Sequence, residues 1–297
     1  HGLGANRFAF HWPGRSVAEY LAEQGFDAYV GELRGAGASA PNHRSWTLHD
    51  YLEDDVPALL DRVREASGHD RVHFVGHSMG GILVMAHGIL TQGAGLLSGT
   101  AVGSALDYGV GGSGFAPVLK VRPVLERLTS LPFGALMRAV APFIARLPDP
   151  VAGFNFHPGA TEPAIVRAVY SNVFGPLPTA LLGSLASGFE PGGIKPLTGP
   201  AFLERARDFG APLLMLAASH DRQCPLPAVD ATAAKAHAKV LRFGKKFGHQ
   251  TDYGHFDLLL GRHAPDEVWP ALSQWLASPT IEPEVERQPR HAPGPGQ

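Results

Sequence analysis

A single cysteine, Cys224, stands among 297 residues. One thiol excludes an intrachain disulfide framework and any zinc or iron–sulfur site built from several cysteines. Long apolar runs are missing as well. The richest stretch, Phe74 to Leu90, is broken by His77, Ser78, His87 and four glycines, so nothing approaches the roughly 18 consecutive apolar residues of a membrane span. There is also no excess of charge of one sign: 25 Lys and Arg face 27 Asp and Glu, a net charge of −2. Such a balance creates no field that would draw in a phosphate backbone or an anionic bilayer. The expectation is a soluble protein with no nucleic-acid partner and no stable membrane insertion. The opening at His1 lacks an initiator Met and the basic-then-apolar start of a signal peptide, so the amino end reads as cut and localisation stays open.

Glycine and proline are plentiful, 36 and 26 residues respectively. Together with 44% apolar and 18% charged residues they describe a turn-rich chain that still has material for a sizeable core. Pro13 at a first helical position, followed by Val17, Ala18, Tyr20, Leu21 and Ala22 and stopped by Gly25, predicts an amphipathic helix. Phe26 to Leu33 reads as a strand ended by Gly35-Ala36-Gly37. Thr47 caps a helix whose apolar residues run at helical spacing from Leu48 to Val63, up to Gly68. Arg71 to Val75, Leu97 to Val102 and Pro212 to Ala218 read as strands, with a helix from about Gly81 between the first two. Strand and helix in alternation predict an α/β fold: a mostly parallel sheet covered by helices on both faces.

Residues 108–200 break that alternation. They hold seven of the sixteen Phe residues and eleven charged side chains in 93 positions. This stretch reads as an insertion across one end of the sheet, a cap over whatever site the loops build. The core is then 1–107 with 201–278. Residues 279–297, with five Pro and no aromatic residue, read as a disordered tail.

Gly76-His77-Ser78-Met79-Gly80 fits G-x-S-x-G between a short strand and a helix. On so sharp a turn the serine takes a strained backbone conformation, and side chains at Gly76 and Gly80 would collide with the neighbouring elements. Ser78 Oγ then stands above the sheet, and the Met79 N–H, at the helix start, faces a developing oxyanion. Serine needs a base to take its proton, imidazole is suited to that task, and a carboxylate must hold the imidazole tautomer.

The chain resembles the α/β-hydrolase superfamily. His1-Gly2-Leu3-Gly4 is similar to that family's oxyanion loop, Leu33-Arg34-Gly35-Ala36-Gly37-Ala38-Ser39 to its LRGxGxS turn, and Gly76 to Gly80 to its nucleophile elbow. Ala218-Ser219-His220-Asp221 lies where the family places its acid. Tyr253-Gly254-His255-Phe256-Asp257 resembles its histidine loop, nearest to acid lipases and polyhydroxyalkanoate synthases. The resemblance covers residues 1 to about 278. It implies an α/β-hydrolase fold with Ser78 as nucleophile, His255 as base and Asp221 as acid, and with Leu3 and Met79 N–H groups as oxyanion donors. Asp107, after the Leu97 to Val102 strand, is a reserve acid. Polyester synthases carry Cys at the elbow, and Ser78 favours ester hydrolysis. The resemblance also implies that a strand ending at the His1 loop is missing from the sequence, so that one more apolar strand precedes His1 and this chain alone is poorly soluble or inactive.

His249 rivals His255, whereas His77 and His220 read as structural or wall residues. Gly109 to Gly114 fits G-x-G-x-x-G without a βαβ context and reads as a flexible lid entrance. His69, His73 and His77 recur every fourth residue but flank a strand, where that spacing brings no ligands together. No metal site and no cofactor are expected, and Cys224 reads as a packing residue. The function expected is hydrolysis of carboxylic esters with an apolar acyl group. The alternatives are an acyltransferase or thioesterase on the same triad, a non-catalytic ligand-binding relative, and a cofactor-free haloperoxidase.

Overall fold

A computed structural model describes residues 1–39, 45–117, 127–147 and 152–281. Most of the expected tail, residues 282–297, lies outside the described residues. A short hairpin, β1 (His11–Trp12) with β2 (Arg15–Ser16), leads into α1 (Val17–Glu23). The Ser16 hydroxyl accepts the Glu19 N–H and caps this helix. Pro13 therefore sits in the hairpin turn and does not start the helix. The Thr47 cap is present, with Asp50 completing a capping box. The helical stretch that follows runs through α2 (Leu48–Asp50) and one wide turn into α3 (Val56–Ser67), and stops at Gly68 with φ +73°.

The central sheet has four parallel strands, β3 (Val72–His77), β4 (Leu96–Val102), β7 (Leu213–Ala218) and β8 (Lys239–Phe243), in the order β3-β4-β7-β8. Alternation along β7 distributes its side chains. Leu213, Met215 and Ala217 join one core with α3 and with α4 (Met79–Thr91), whereas Leu214, Leu216 and Ala218 join another. That second core contains α1, α9 (Asp257–Leu260) and α10 (Ala264–Ala277). A two-face cover explains why β7 is a continuous apolar run.

Residues 26–33 form no strand. An apolar groove of about 600 Å³ separates them from β3, lined by Phe26, Val30, Leu59, Val63, Val75 and Leu272. Ladder hydrogen bonds require strand neighbours about 4.7–4.9 Å apart, and the groove holds the two segments beyond that reach. The strand expected over residues 26–33 is thus not formed, and among the described residues this segment shares no ladder with β3.

Within residues 108–200 the described elements are β5 (Ser130–Leu131) paired with β6 (Leu177–Pro178), and helices α5 (Phe133–Val140), α6 (Pro163–Asn172) and α7 (Thr179–Ala186). They attach at the ends of the sheet strands through backbone bonds: Gly175 N to Gly4 O, Tyr108 N to Gly188 O, and Ile194 N to Leu106 O. The glycine run 109–114 is docked at its carboxyl end. Gly114 N donates to Arg222 O at 2.6 Å, and Ser113 Oγ to Gln223 O at 2.6 Å. These bonds tie the carboxyl end of the run to the loop after β7, while residues 109–112 are exposed. Between β7 and β8 lies α8 (Leu226–Ala236).

Candidate active site

β3 runs two residues further than its apolar content suggests, through Gly76 and His77, and delivers Ser78 at the start of α4. Ser78 has φ +56° and ψ −120°, a conformation that L-residues rarely adopt. The turn is held by Ser78 N donating to Val102 O at 2.8 Å and by Gly81 N donating to Ser78 O at 2.9 Å. It also demands glycine, since a Cβ on Gly76 would stand 2.1 Å from Gly80 O. The oxyanion-loop candidate lies directly against it: a Cβ on Gly2 would stand 3.1 Å from Ser78 Cβ, and one on Gly80 would stand 2.9 Å from His1 O. Gly2, the residue before Leu3, thus packs directly against Ser78, and the Met79 N–H belongs to the electropositive first turn of α4.

Asp221 follows β7, and His255 lies on the loop before α9. Their side chains meet in the interior, with His255 Nδ1 donating to Asp221 Oδ2 at 2.7 Å, and both residues are buried. Asp221 Oδ1 accepts from Gln223 N at 2.8 Å and Cys224 N at 2.9 Å, which fixes the carboxylate plane. His255 Nε2 has no hydrogen-bond partner among the described residues. Gly103, with φ +55° at the end of β4, faces the pair: a Cβ there would stand 3.1 Å from Asp221 Oδ2 and 3.2 Å from His255 Nδ1. Because Ser78 N is bonded to Val102 O, the nucleophile turn and the imidazole share one wall.

Other candidates are placed elsewhere. Asp107 Oδ1 accepts from Gly109 N at 2.8 Å, a local turn bond, while His255 Nδ1 is bonded to Asp221. His249 pairs with the Gly244 backbone, and the His220 ring lies tilted against His157 with centroids 4.6 Å apart. His73 Nδ1 is bonded to Ser98 Oγ at 2.8 Å. His77 is fully buried. Its Nε2–H donates to His255 O at 3.1 Å, and burial together with the neighbouring His255 pushes its basicity well below the usual imidazole range. Cys224 is buried, and its thiol is pushed up by burial and by Asp221, so it is inert at neutral pH.

Sequence reasoning overlooked Asp257 and Gln223 as individual contributors. Asp257 is buried and raised to about 6, chiefly by desolvation. Residues 108–200 contribute apolar surroundings to the site: Phe133 stands 3.3 Å and Leu177 3.9 Å from a Cβ built on Gly4. Ring contacts run from Phe133 through Phe174 to Phe256, with centroids 5.3 and 5.9 Å apart. Among the described residues no helix is long and apolar enough to cross a membrane.

Comparison with known proteins agrees with this fold. A family profile described as alpha/beta hydrolase fold matches residues 1–88. Lipase lipl-3 of Caenorhabditis elegans is 29% identical over 98 residues, 29% of this chain and 24% of the lipase. A poly(3-hydroxyalkanoate) polymerase subunit of Haloferax mediterranei is 36% identical over 78 residues, covering 26% of this chain and 15% of that protein. The chain thus spans about a quarter or less of the length of these curated relatives. The crystal structure of a monoacylglycerol lipase from Paleococcus ferrophilus superposes with a TM-score of 0.61 at 18% identity, covering 94% of this chain and 92% of that one.

Proposed function

We propose that this chain, whose fold is that of the α/β hydrolases, is a serine hydrolase cleaving carboxylic esters with an apolar acyl group through an acyl-enzyme on Ser78. The observation that carries this reading is the buried Asp221–His255 pair, whose unpartnered Nε2 shares a wall with a serine held at positive φ. A buried ring nitrogen without a partner is costly. Here it is suited to accept a hydroxyl proton.

As Ser78 Oγ attacks the ester carbonyl, its proton passes to His255 Nε2 and the carbonyl π pair moves onto oxygen. Asp221 holds Nδ1–H in place and stabilises the imidazolium. The Leu3 and Met79 N–H groups receive the oxyanion, and each such donor is worth about 10²–10³ in kcat. The tetrahedral adduct collapses when the imidazolium gives its proton to the leaving alkoxide. Water, deprotonated by His255, then repeats the attack on the acyl-enzyme, releases the acid and restores Ser78. Residues 108–200 act as a cap, and Phe133 and Leu177 beside Gly4 supply the apolar wall for the acyl chain.

A fluorophosphonate probe and a chain-length series of p-nitrophenyl esters test the proposal together. Stoichiometric labelling that disappears in Ser78→Ala, with turnover lost in Ser78→Ala and His255→Ala, is the expected result. Labelling retained by Ser78→Ala overturns it. Product analysis with an added alcohol or thiol separates hydrolysis from acyl transfer by the same intermediate.

A further inference from the structure

The loops that carry Asp221 and His255 touch a third element, residues 154–161 of the inserted stretch. Gln223, two residues beyond the acid, donates through Nε2 to Phe154 O at 3.2 Å and to Asn155 Oδ1 at 2.7 Å. Asn155 Nδ2 in turn donates to the Tyr170 hydroxyl at 2.6 Å. On the base side, Phe256 N donates to Asn155 O at 2.8 Å, and the Phe156 and Phe256 rings stack at 5.6 Å. The densest connection is Asp257, two residues beyond His255. Its Oδ2 accepts from His157 N at 2.6 Å and from Gly254 N at 2.7 Å, and its Oδ1 accepts from Thr161 Oγ1 at 2.6 Å. One carboxylate thus joins the residue before the base to two points of the strap.

We propose that residues 154–161 form a positioning strap that holds the acid loop and the base loop in one register, with Asp257 as the anchor that sets the position of His255. The inference rests on the serine-hydrolase reading and adds a role for residues that touch neither substrate nor the reacting atoms. Asp257 shares no bond with the His255 ring; it acts through the Gly254 backbone and through the strap. There is no slack at this junction, because a Cβ on Gly254 would stand 2.5 Å from His157 N. Release of the anchor frees the loop to shift, and a displacement on the order of 1 Å at a catalytic group can cost about 10² in rate. The strap belongs to the inserted stretch, so that stretch contributes to the geometry of the triad as well as to substrate contact.

Asn is the informative replacement at the anchor. Its amide oxygen can take the two backbone N–H groups, and its NH2 can donate to Thr161 Oγ1, whose own proton turns to Leu260 O, 3.5 Å away. Ala removes all three bonds. The experiment compares wild type, D257A, D257N and T161V, with active sites counted by fluorophosphonate titration of a parallel sample so that kcat is expressed per titratable site. Amide exchange at His157 and Gly254 is followed in parallel. The expected result is a kcat about 10²-fold lower in D257A with KM for a p-nitrophenyl ester little changed. D257N should recover most of that loss, T161V should show a several-fold fall, and exchange should be faster at both amides in D257A and T161V. A wild-type kcat per titrated site in D257A, or a D257N as impaired as D257A, overturns the proposal. Should D257A fail to fold, T161V with wild-type kcat and wild-type exchange overturns it alone. Failure of the underlying reading has a different signature: wild-type enzyme that takes no fluorophosphonate at Ser78.

Discussion

The Nε2–H of His77 donates to the backbone carbonyl of His255 at 3.1 Å, and the two rings lie with centroids 4.5 Å apart. The residue before Ser78 thereby holds the main chain of His255, and its own ring stays neutral because burial and the adjacent imidazole both oppose a proton. Replacing His77 by Phe keeps a ring of similar breadth but removes the donor and leaves a buried carbonyl unpaired, which costs about 1–3 kcal/mol. A lowered melting temperature and reduced kcat are expected. A variant equal to wild type in both would show that the bond does not matter.

Asp221→Asn is expected to lower kcat by about 10³–10⁴, since an amide cannot fix the imidazole tautomer or stabilise the imidazolium. Asp107→Asn should change kcat less than threefold, the single bond at stake being the turn contact to Gly109 N. Steady-state rates of the two variants on one ester decide the matter, and the reverse order would transfer the acid role to Asp107.

Phe133→Ala should reduce kcat/KM for octanoyl esters about tenfold or more, and leave acetyl esters within about twofold. Each buried methylene contributes about 0.8 kcal/mol, and about 1.4 kcal/mol is tenfold in rate. Equal losses for both chain lengths would place the acyl chain elsewhere.

Among the described residues, the β3 edge of the parallel sheet has no ladder partner and faces the apolar walls of the groove beside residues 26–33. Joining a run of about six Val and Ile residues to the amino end should raise the melting temperature by filling it, about six residues being an ordinary strand length. The same run with alternate Lys residues should not. Identical effects of the two extensions would mean that neither enters the groove.

Asp257 also makes a pH prediction. Its folded-state value of about 6 lies above the roughly 3.9 of an unfolded Asp. Desolvation and the nearby Asp221 raise it, against the Thr161, His157 and Gly254 bonds that lower it. Between these values the folded state holds a proton that the unfolded state has lost. Stability from this group is therefore complete below about pH 4 and declines as pH rises to 6, by up to ~3 kcal/mol. Asp257→Asn lacks that decline, so its stability relative to wild type should improve from pH 4 to pH 7 in denaturant melts. A difference that stays constant with pH would contradict the assignment.

Local sequence determined much of this protein. The Gly76 to Gly80 turn was legible because only glycine tolerates its close contacts, the buried strands because apolar runs bounded by turns have few other uses, and the Thr47 cap because its hydroxyl and Asp50 act within one turn. Asp221 and His255 were found through a resemblance, since nothing in spacing alone joins residues 34 apart. Tertiary structure decided what depends on distant partners. Residues 26–33 have strand character, yet strand pairing belongs to two segments at once, and the groove denies them a neighbour. Asp257 and Gln223 gain their place from residues 154–161, about 100 and 68 positions away. A carboxylate two residues past a histidine says nothing by itself about which backbone amides it will meet, because those contacts exist only once residues 154–161 have packed against the loops after the sheet strands.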